Sequence, residues 1–136
     1  MGRILAGCAT VLCIMFAVGQ LSGQDDKTSP VSFKKDVYPI FDKRCLSCHA
    51  EDDDNPSELS LDTYALLMAG GKHGVPVIPG KSSKSILMQK LGTEPPFGDR
   101  MPLNKKKRIA EGTAKWLTDE EVKTIADWID QGAKDN

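Results

Sequence analysis

The residues with most chemistry to offer stand side by side: Cys45, Leu46, Ser47, Cys48 and His49. Two thiols with two residues between them, followed at once by an imidazole, form the attachment signature for c-type haem. One turn of chain lets both sulfurs reach the two vinyl groups of one porphyrin and form thioethers. His49 then lies beneath the iron as its proximal ligand. Three other readings compete. A thioredoxin-like redox pair needs a strand–helix setting that the residues around Cys45 do not offer. A zinc site needs four nitrogen or sulfur ligands, and beyond its first segment the chain has two thiols and two histidines, with no second clustered pair. A disulfide across so short a gap would be strained and would leave His49 without a role. The motif therefore predicts one haem c, held covalently at Cys45 and Cys48, with its iron on His49.

The second axial position decides what such an iron can do. The candidates are Met68, Met88, Met101, His73, or no residue at all. Met68 and Met88 lie in short helical segments rich in Leu and Ile, where a thioether fills core space. His73 lies in a Gly-rich turn and reads as an exposed histidine. Met101 stands in a loop bounded by Pro and Gly, between Arg100 and Pro102. Pro102 restricts the backbone there and removes a donor, so the loop can wrap the far face of a porphyrin and present its sulfur. Met101 is the expected distal ligand. Arg100 is a candidate partner for a haem propionate, or a plain surface arginine. Trp116 could donate its indole N–H to a propionate, with core packing as the plainer role. Pro76 is a candidate for the carbonyl that orients His49 through its other ring nitrogen.

The compartment follows from the chain's first segment. Arg3, an apolar run from Ile4 to Val18, and then small and polar residues reproduce the layout of a secretory signal peptide. Cleavage is expected after position 19 or 23, giving a signal peptide over 1–23, a flexible leader over 24–31 and one domain over 32–136. The apolar run is shorter than the roughly 20 residues of a membrane span, so membrane attachment is expected only if the segment stays uncleaved. Leu5-Ala6-Gly7-Cys8 resembles a lipoprotein box, but no hydrophobic stretch precedes it. Cys8 and Cys13 leave with the segment, so no disulfide framework is expected. The protein is expected to be periplasmic or otherwise exported, which suits a haem attached after translocation. The formal charge of the 136 residues is −1, which gives no case for nucleic-acid binding.

These residues need elements to position them. Ser32 can cap a helix running to about Arg44, with Phe33, Val37, Ile40 and Phe41 on one apolar face. Pro39 removes a hydrogen bond inside it and predicts a kink or a broken first turn. Glu51 to Pro56 reads as an acidic solvated loop, its spacing unlike a calcium-binding EF-hand. Asp62 is the expected cap of a short helix from Thr63 to about Ala69, closed by Gly70 and Gly71. Ser82 or Ser83 is expected to start another, ending at Leu91. Residues 93–115 form a long loop with a helical turn near 106–111, and a loop of that length is usually functional. The last helix is the clearest, with Thr118 and Glu121 as a capping box, Leu117 stapled to Val122, and Val122, Ile125, Ala126 and Ile129 facing inward. With no strong strand and no repeats, the fold expected is all-α, the first and last helices crossing and the haem wrapped beneath them.

Taken in order, "FKKDVYPIFDKRCLSCH", "LSLDTYALLMAGG", "VIPGKSSKSILMQKL", "RMP" and "LTDEEVKTIADWIDQGA" resemble the planctomycete-type cytochrome c domain, a branch of the class I cytochrome c-like superfamily. The resemblance runs from about Val31 to Ala133. It implies a haem c electron-transfer module with His49 and Met101 as axial ligands. It also implies a domain that often sits beside others in large secreted proteins, so that here the partner would be another chain. The function expected is an exported monohaem electron carrier and not an enzyme, since no acid–base pair or nucleophile is conspicuous. Two alternatives remain: a sensor or small peroxidase with an open distal site, and a haem-bearing subunit of a larger redox complex. Lys105, Lys106, Lys107 and Arg108 are the candidate docking patch for an acidic redox partner.

Overall fold

The computed structural model of the chain describes residues 29–51 and 55–136, together with Gly2. The signal segment with its cleavage sites, residues 24–28 of the leader, and Asp52–Asp54 of the acidic loop lie outside the described residues. Among those described, the chain is helical and forms no strand, with one isolated bridge between Gly71 and Gly74. No helix among them is long and apolar enough to cross a membrane.

The opening segment changes winding where the proline demands it. Phe33–Val37 is a π-helical turn, closed by Tyr38 N–H donating to the Phe33 carbonyl. The Ser32 hydroxyl accepts from Lys35 N–H at 3.2 Å, as its predicted cap role requires. An α-helix, α1, then runs Tyr38–Arg44 with Pro39 in its first turn, where the missing N–H costs nothing. The expected kink is thus a change from π to α winding. Phe33, Val37 and Phe41 are buried, as the periodicity predicts. A single turn, α2, follows at Leu46–His49.

The next two helices start one to three residues away from the caps expected of them. In α3, Tyr64–Ala69, the cap is Thr63, whose hydroxyl accepts from Leu66 N–H at 3.2 Å. Asp62 instead accepts from Glu51 N–H at 2.6 Å and from the Ser60 hydroxyl at 2.7 Å, closing the acidic loop. Gly70 ends α3 at φ 79°, and a Cβ there would lie 2.5 Å from the Gly74 carbonyl oxygen, so only glycine fits. A 3₁₀ turn at Ser82–Lys84 precedes α4, Ile86–Leu91, so α4 begins after Ser85 and not at Ser82 or Ser83. Ser82 is taken by Asp130 through its backbone N–H (2.8 Å) and its hydroxyl (2.7 Å). The Ser85 hydroxyl, fully buried, donates to the Lys81 carbonyl and accepts from Ile78 N–H.

A five-residue helix, α5, occupies Lys106–Ala110 inside the long loop. The last helix, α6, runs Asp119–Asp130 with both halves of its capping box made: Glu121 N–H to Thr118 Oγ1 at 3.1 Å and Thr118 N–H to Glu121 Oε2 at 2.9 Å. It buries Ile125, Trp128 and Ile129 and packs on the opening π-turn, the 3₁₀ turn and α4. Phe33 meets Trp128 and Tyr64 at ring-centroid separations of 5.3 and 5.5 Å, so first and last helical segments share one aromatic cluster. This core fixes α6 and α1, and α1 delivers the two thiols and His49.

Candidate haem-binding site

Five stretches of chain enclose a cavity of about 760 Å³, the size of a cofactor site. They are Arg44–His49, Asn55–Leu61, Gly71–Pro76, α4 and the loop Phe97–Leu103. Cys45, Cys48, His49 and Met101 all line it, and so does His73. Met68 and Met88 do not; both pack against the core.

The state of His49 follows from its partner. Its Nδ1 lies 3.0 Å from the Leu59 carbonyl oxygen. A carbonyl can only accept, so Nδ1 carries the proton and Nε2 is left with the lone pair that a metal needs. Leu59, and not Pro76, is the orienting carbonyl; the Pro76 carbonyl accepts from Leu87 N–H at 2.9 Å. The chain doubles back after the motif, with Leu61 N–H donating to the His49 carbonyl at 2.9 Å, and this return sets Leu59 against the ring. Asn55 Nδ2 donates to the same Leu59 oxygen at 2.6 Å, and the Ser57 hydroxyl, 3.5 Å from Nδ1, donates to Asn55 Oδ1 at 2.7 Å. A Cβ on Gly71 would come within 2.5 Å of the Ser57 carbonyl oxygen. The absence of a side chain there lets the Gly71–Gly74 turn press on the loop that holds His49.

Neither motif cysteine is paired in a disulfide; Cys45 is half-buried and Cys48 exposed. Burial pushes the Cys45 thiol up to about 11; Arg44 beside it pulls the other way, and Glu121 and Cys48 add to the rise. A thiolate is therefore disfavoured at Cys45, whereas an uncharged thioether suits that position.

Met101 is half-buried and packs against the core, its N–H donating to the Lys90 carbonyl at 2.7 Å. His73, at the exposed edge of the cavity, stacks on Phe97 with ring centroids 3.8 Å apart and 22° between planes. Arg100 and Trp116 do not line the cavity. Arg100 donates from Nε to the Leu91 carbonyl at 2.9 Å and lays its guanidinium 4.2 Å over the Trp116 ring, so the two residues considered for propionates are used on each other. Trp128 lies in the core, and its indole N–H donates to the Lys134 carbonyl at 2.9 Å.

Sequence reasoning missed Leu59, Asn55, Arg44 and Lys90. Leu59 acts through its backbone and leaves no side-chain signal. Asn55 read as part of the acidic loop. Arg44, beside Cys45, is paired with Glu121 through Nε and Nη2, both at 3.0 Å, and carries the end of α1 onto the start of α6.

Residues 45–102 match the family model described as planctomycete cytochrome C. Hydrazine synthase subunit alpha of Kuenenia stuttgartiensis is 32% identical over 135 residues, an alignment covering 80% of this chain and 16% of that protein. The solved structure of Kuenenia stuttgartiensis hydrazine synthase superposes with a TM-score of 0.50 at 28% identity, covering 79% of this chain and 16% of the other. The chain thus spans about a sixth of the length of these relatives.

This overturns the expectation that the chain is no enzyme, because the proteins it matches are parts of a synthase. That expectation rested on the lack of a conspicuous acid–base pair or nucleophile, a weak criterion for a stretch matching one portion of a much larger catalyst. Both motif thiols, His49 and Met101 fall inside residues 45–102, the stretch that matches the planctomycete cytochrome C family.

Proposed function

We propose that the chain holds one haem c through thioethers at Cys45 and Cys48, with His49 Nε2 and Met101 sulfur as axial ligands, and that it passes single electrons in the service of an exported redox enzyme. One observation carries this reading: a His49 ring held by the Leu59 carbonyl with its metal-binding nitrogen free, in a cavity that also contains both thiols and Met101. Bound there, the haem supplies a one-electron couple between ferric and ferrous iron. The protein does the rest. Leu59 orients the imidazole and directs Nε2 into the cavity. Leu61, Leu87 and Leu91 give the cavity apolar walls, and these, with a thioether ligand, favour the ferrous state and raise the potential. The likeness to part of hydrazine synthase supports work alongside a catalytic assembly, and the signal-like segment supports export. The partner is a protein with an acidic face that meets Lys105, Lys106, Lys107 and Arg108, all exposed on and before α5.

The test is an optical spectrum of the haem-loaded protein, oxidised and reduced, with and without carbon monoxide. The wild type should show the thioether–iron charge-transfer absorption and bind carbon monoxide slowly or not at all. Met101→Ala should lose that absorption, take up carbon monoxide readily and fall in potential. An unchanged Met101→Ala spectrum would assign the ligand elsewhere, and rapid carbon monoxide binding by the wild type would mean an open iron site.

A further inference from the structure

The loop that carries Met101 has no regular secondary structure from Gly92 to Lys105, yet it must hold one sulfur in one place. Its anchor is a single residue at the end of α4. The Lys90 ammonium donates to the Phe97 carbonyl at 2.6 Å and to the Asp99 carbonyl at 2.5 Å. The same ammonium stands 4.7 Å from the centre of the Phe97 ring. The Lys90 carbonyl in turn accepts from Met101 N–H at 2.7 Å. One residue thus grips the turn at positions 97, 99 and 101, and the next carbonyl, Leu91, takes Arg100 Nε at 2.9 Å.

The Asp99 carboxylate attracts the ammonium through space without closing on it. No carboxylate forms an ion pair with it among the described residues. Its side chain lines the cavity, and its charge is directed onto two neutral carbonyls. Charge-assisted hydrogen bonds of that kind are about twice as strong as neutral ones. Ordering a Pro- and Gly-interrupted turn costs conformational entropy at every residue fixed, and a thioether is a weak enough ligand that such a cost would show in its occupancy.

We propose that Lys90 is the positioning residue for Met101, pinning the 97–101 turn to the end of α4 so that the thioether stays at the cavity. This rests on the reading of Met101 as ligand. Without the clamp, the turn samples open states and the sulfur yields its place to a competitor.

Two readouts on the haem-loaded protein test it. Lys90→Met keeps the apolar stem and removes the three N–H donors. Imidazole should then bind the ferric protein about tenfold more tightly or better, a tenfold change being about 1.4 kcal/mol. The charge-transfer absorption should also disappear at a lower denaturant concentration than the global unfolding transition. Lys84→Met, an exposed lysine in the 3₁₀ turn, should leave both values where they are. Amide hydrogen exchange at Asp99 to Met101 should quicken in Lys90→Met, a readout independent of what binds the iron. Should Lys90→Met fail to take up haem, Lys90→Gln carries the same expectations. Unaltered imidazole affinity and unaltered exchange would overturn the proposal. Faster exchange with unaltered imidazole affinity would keep the clamp and reject Met101 as ligand, which an unchanged Met101→Ala spectrum would establish separately.

Discussion

At the scale of the residue, the Leu59 carbonyl is shared. Its oxygen accepts from His49 Nδ1 at 3.0 Å and from Asn55 Nδ2 at 2.6 Å, and the shorter bond belongs to the asparagine. Asn55 is locked in that orientation because its Oδ1 accepts from the Ser57 hydroxyl and from Ser57 N–H. A carbonyl already donating density to one N–H is a weaker acceptor for a second, so Asn55 keeps the His49 ring less electron-rich than it would otherwise be. Asn55→Leu should strengthen the His49 bond, make the imidazole a better donor and favour ferric iron. The potential should fall by about 30 mV, half of the 59 mV that a tenfold one-electron shift requires; redox titration of the loaded protein reads it. A rise would mean that Asn55 matters chiefly by holding the loop in place. None of this was legible in the sequence, because the acceptor is a main-chain atom ten residues past the ring.

At the scale of the element, Glu121 does two jobs. It completes the capping box of α6 and receives Arg44 from the end of α1, with the two side chains 17% and 21% exposed. Burial pushes the Glu121 carboxyl up, but Thr118 N–H and Arg44 outweigh it and hold the carboxyl below its ordinary 4.5. A depressed carboxylate stabilises the fold above its unfolded pKa and loses that contribution as pH falls through the folded value. Glu121→Gln should cost about 2 kcal/mol at neutral pH, between a lost cap of ~1 and a broken buried pair of ~3–5. Part of that difference should vanish on acidification below the ordinary carboxylate range, and denaturant melts at two pH values would show it. The capping box was readable from Thr118 and Glu121 because a cap is local in sequence. The ion pair was not, since it joins residues far apart in the chain. The same contrast explains the displaced starts. Asp62 has a side chain as suitable for capping as Thr63, but Glu51 claims it first, and Ser82 is held by Asp130 in the 3₁₀ turn that precedes α4.

At the scale of the whole molecule, the helical class was readable, while the cavity that brings the motif and Met101 together was not, because five separated stretches build it. What the molecule presents outward can be read in both. In the sequence an acidic run follows the motif and a basic run follows Met101. Every residue from 105 to 113 is exposed, so α5 stands clear of the core with Lys105, Lys106, Lys107 and Arg108 on offer. Among the described residues, Lys107 is the one of the four with an ion-pair partner, Glu111 at 3.9 Å. Leu103, 64% exposed, also lines the cavity, so the same loop joins the site to the basic patch. If electrons leave past this loop, the charge there governs how fast an anionic oxidant takes them. Replacing Lys105, Lys106, Lys107 and Arg108 with Glu should slow oxidation of the reduced protein by ferricyanide several-fold at low salt. It should speed oxidation by a tris(phenanthroline)cobalt(III) cation, with the spectrum unchanged. Both effects should shrink as the Debye length falls from about 10 Å at 0.1 M to about 3 Å at 1 M salt. Stopped-flow rates for the two oxidants across that range distinguish this from a simple loss of stability, which would move both in the same direction. Rates insensitive to the four charges at low salt would place the exit elsewhere, with the exposed Cys48 edge the next surface to probe.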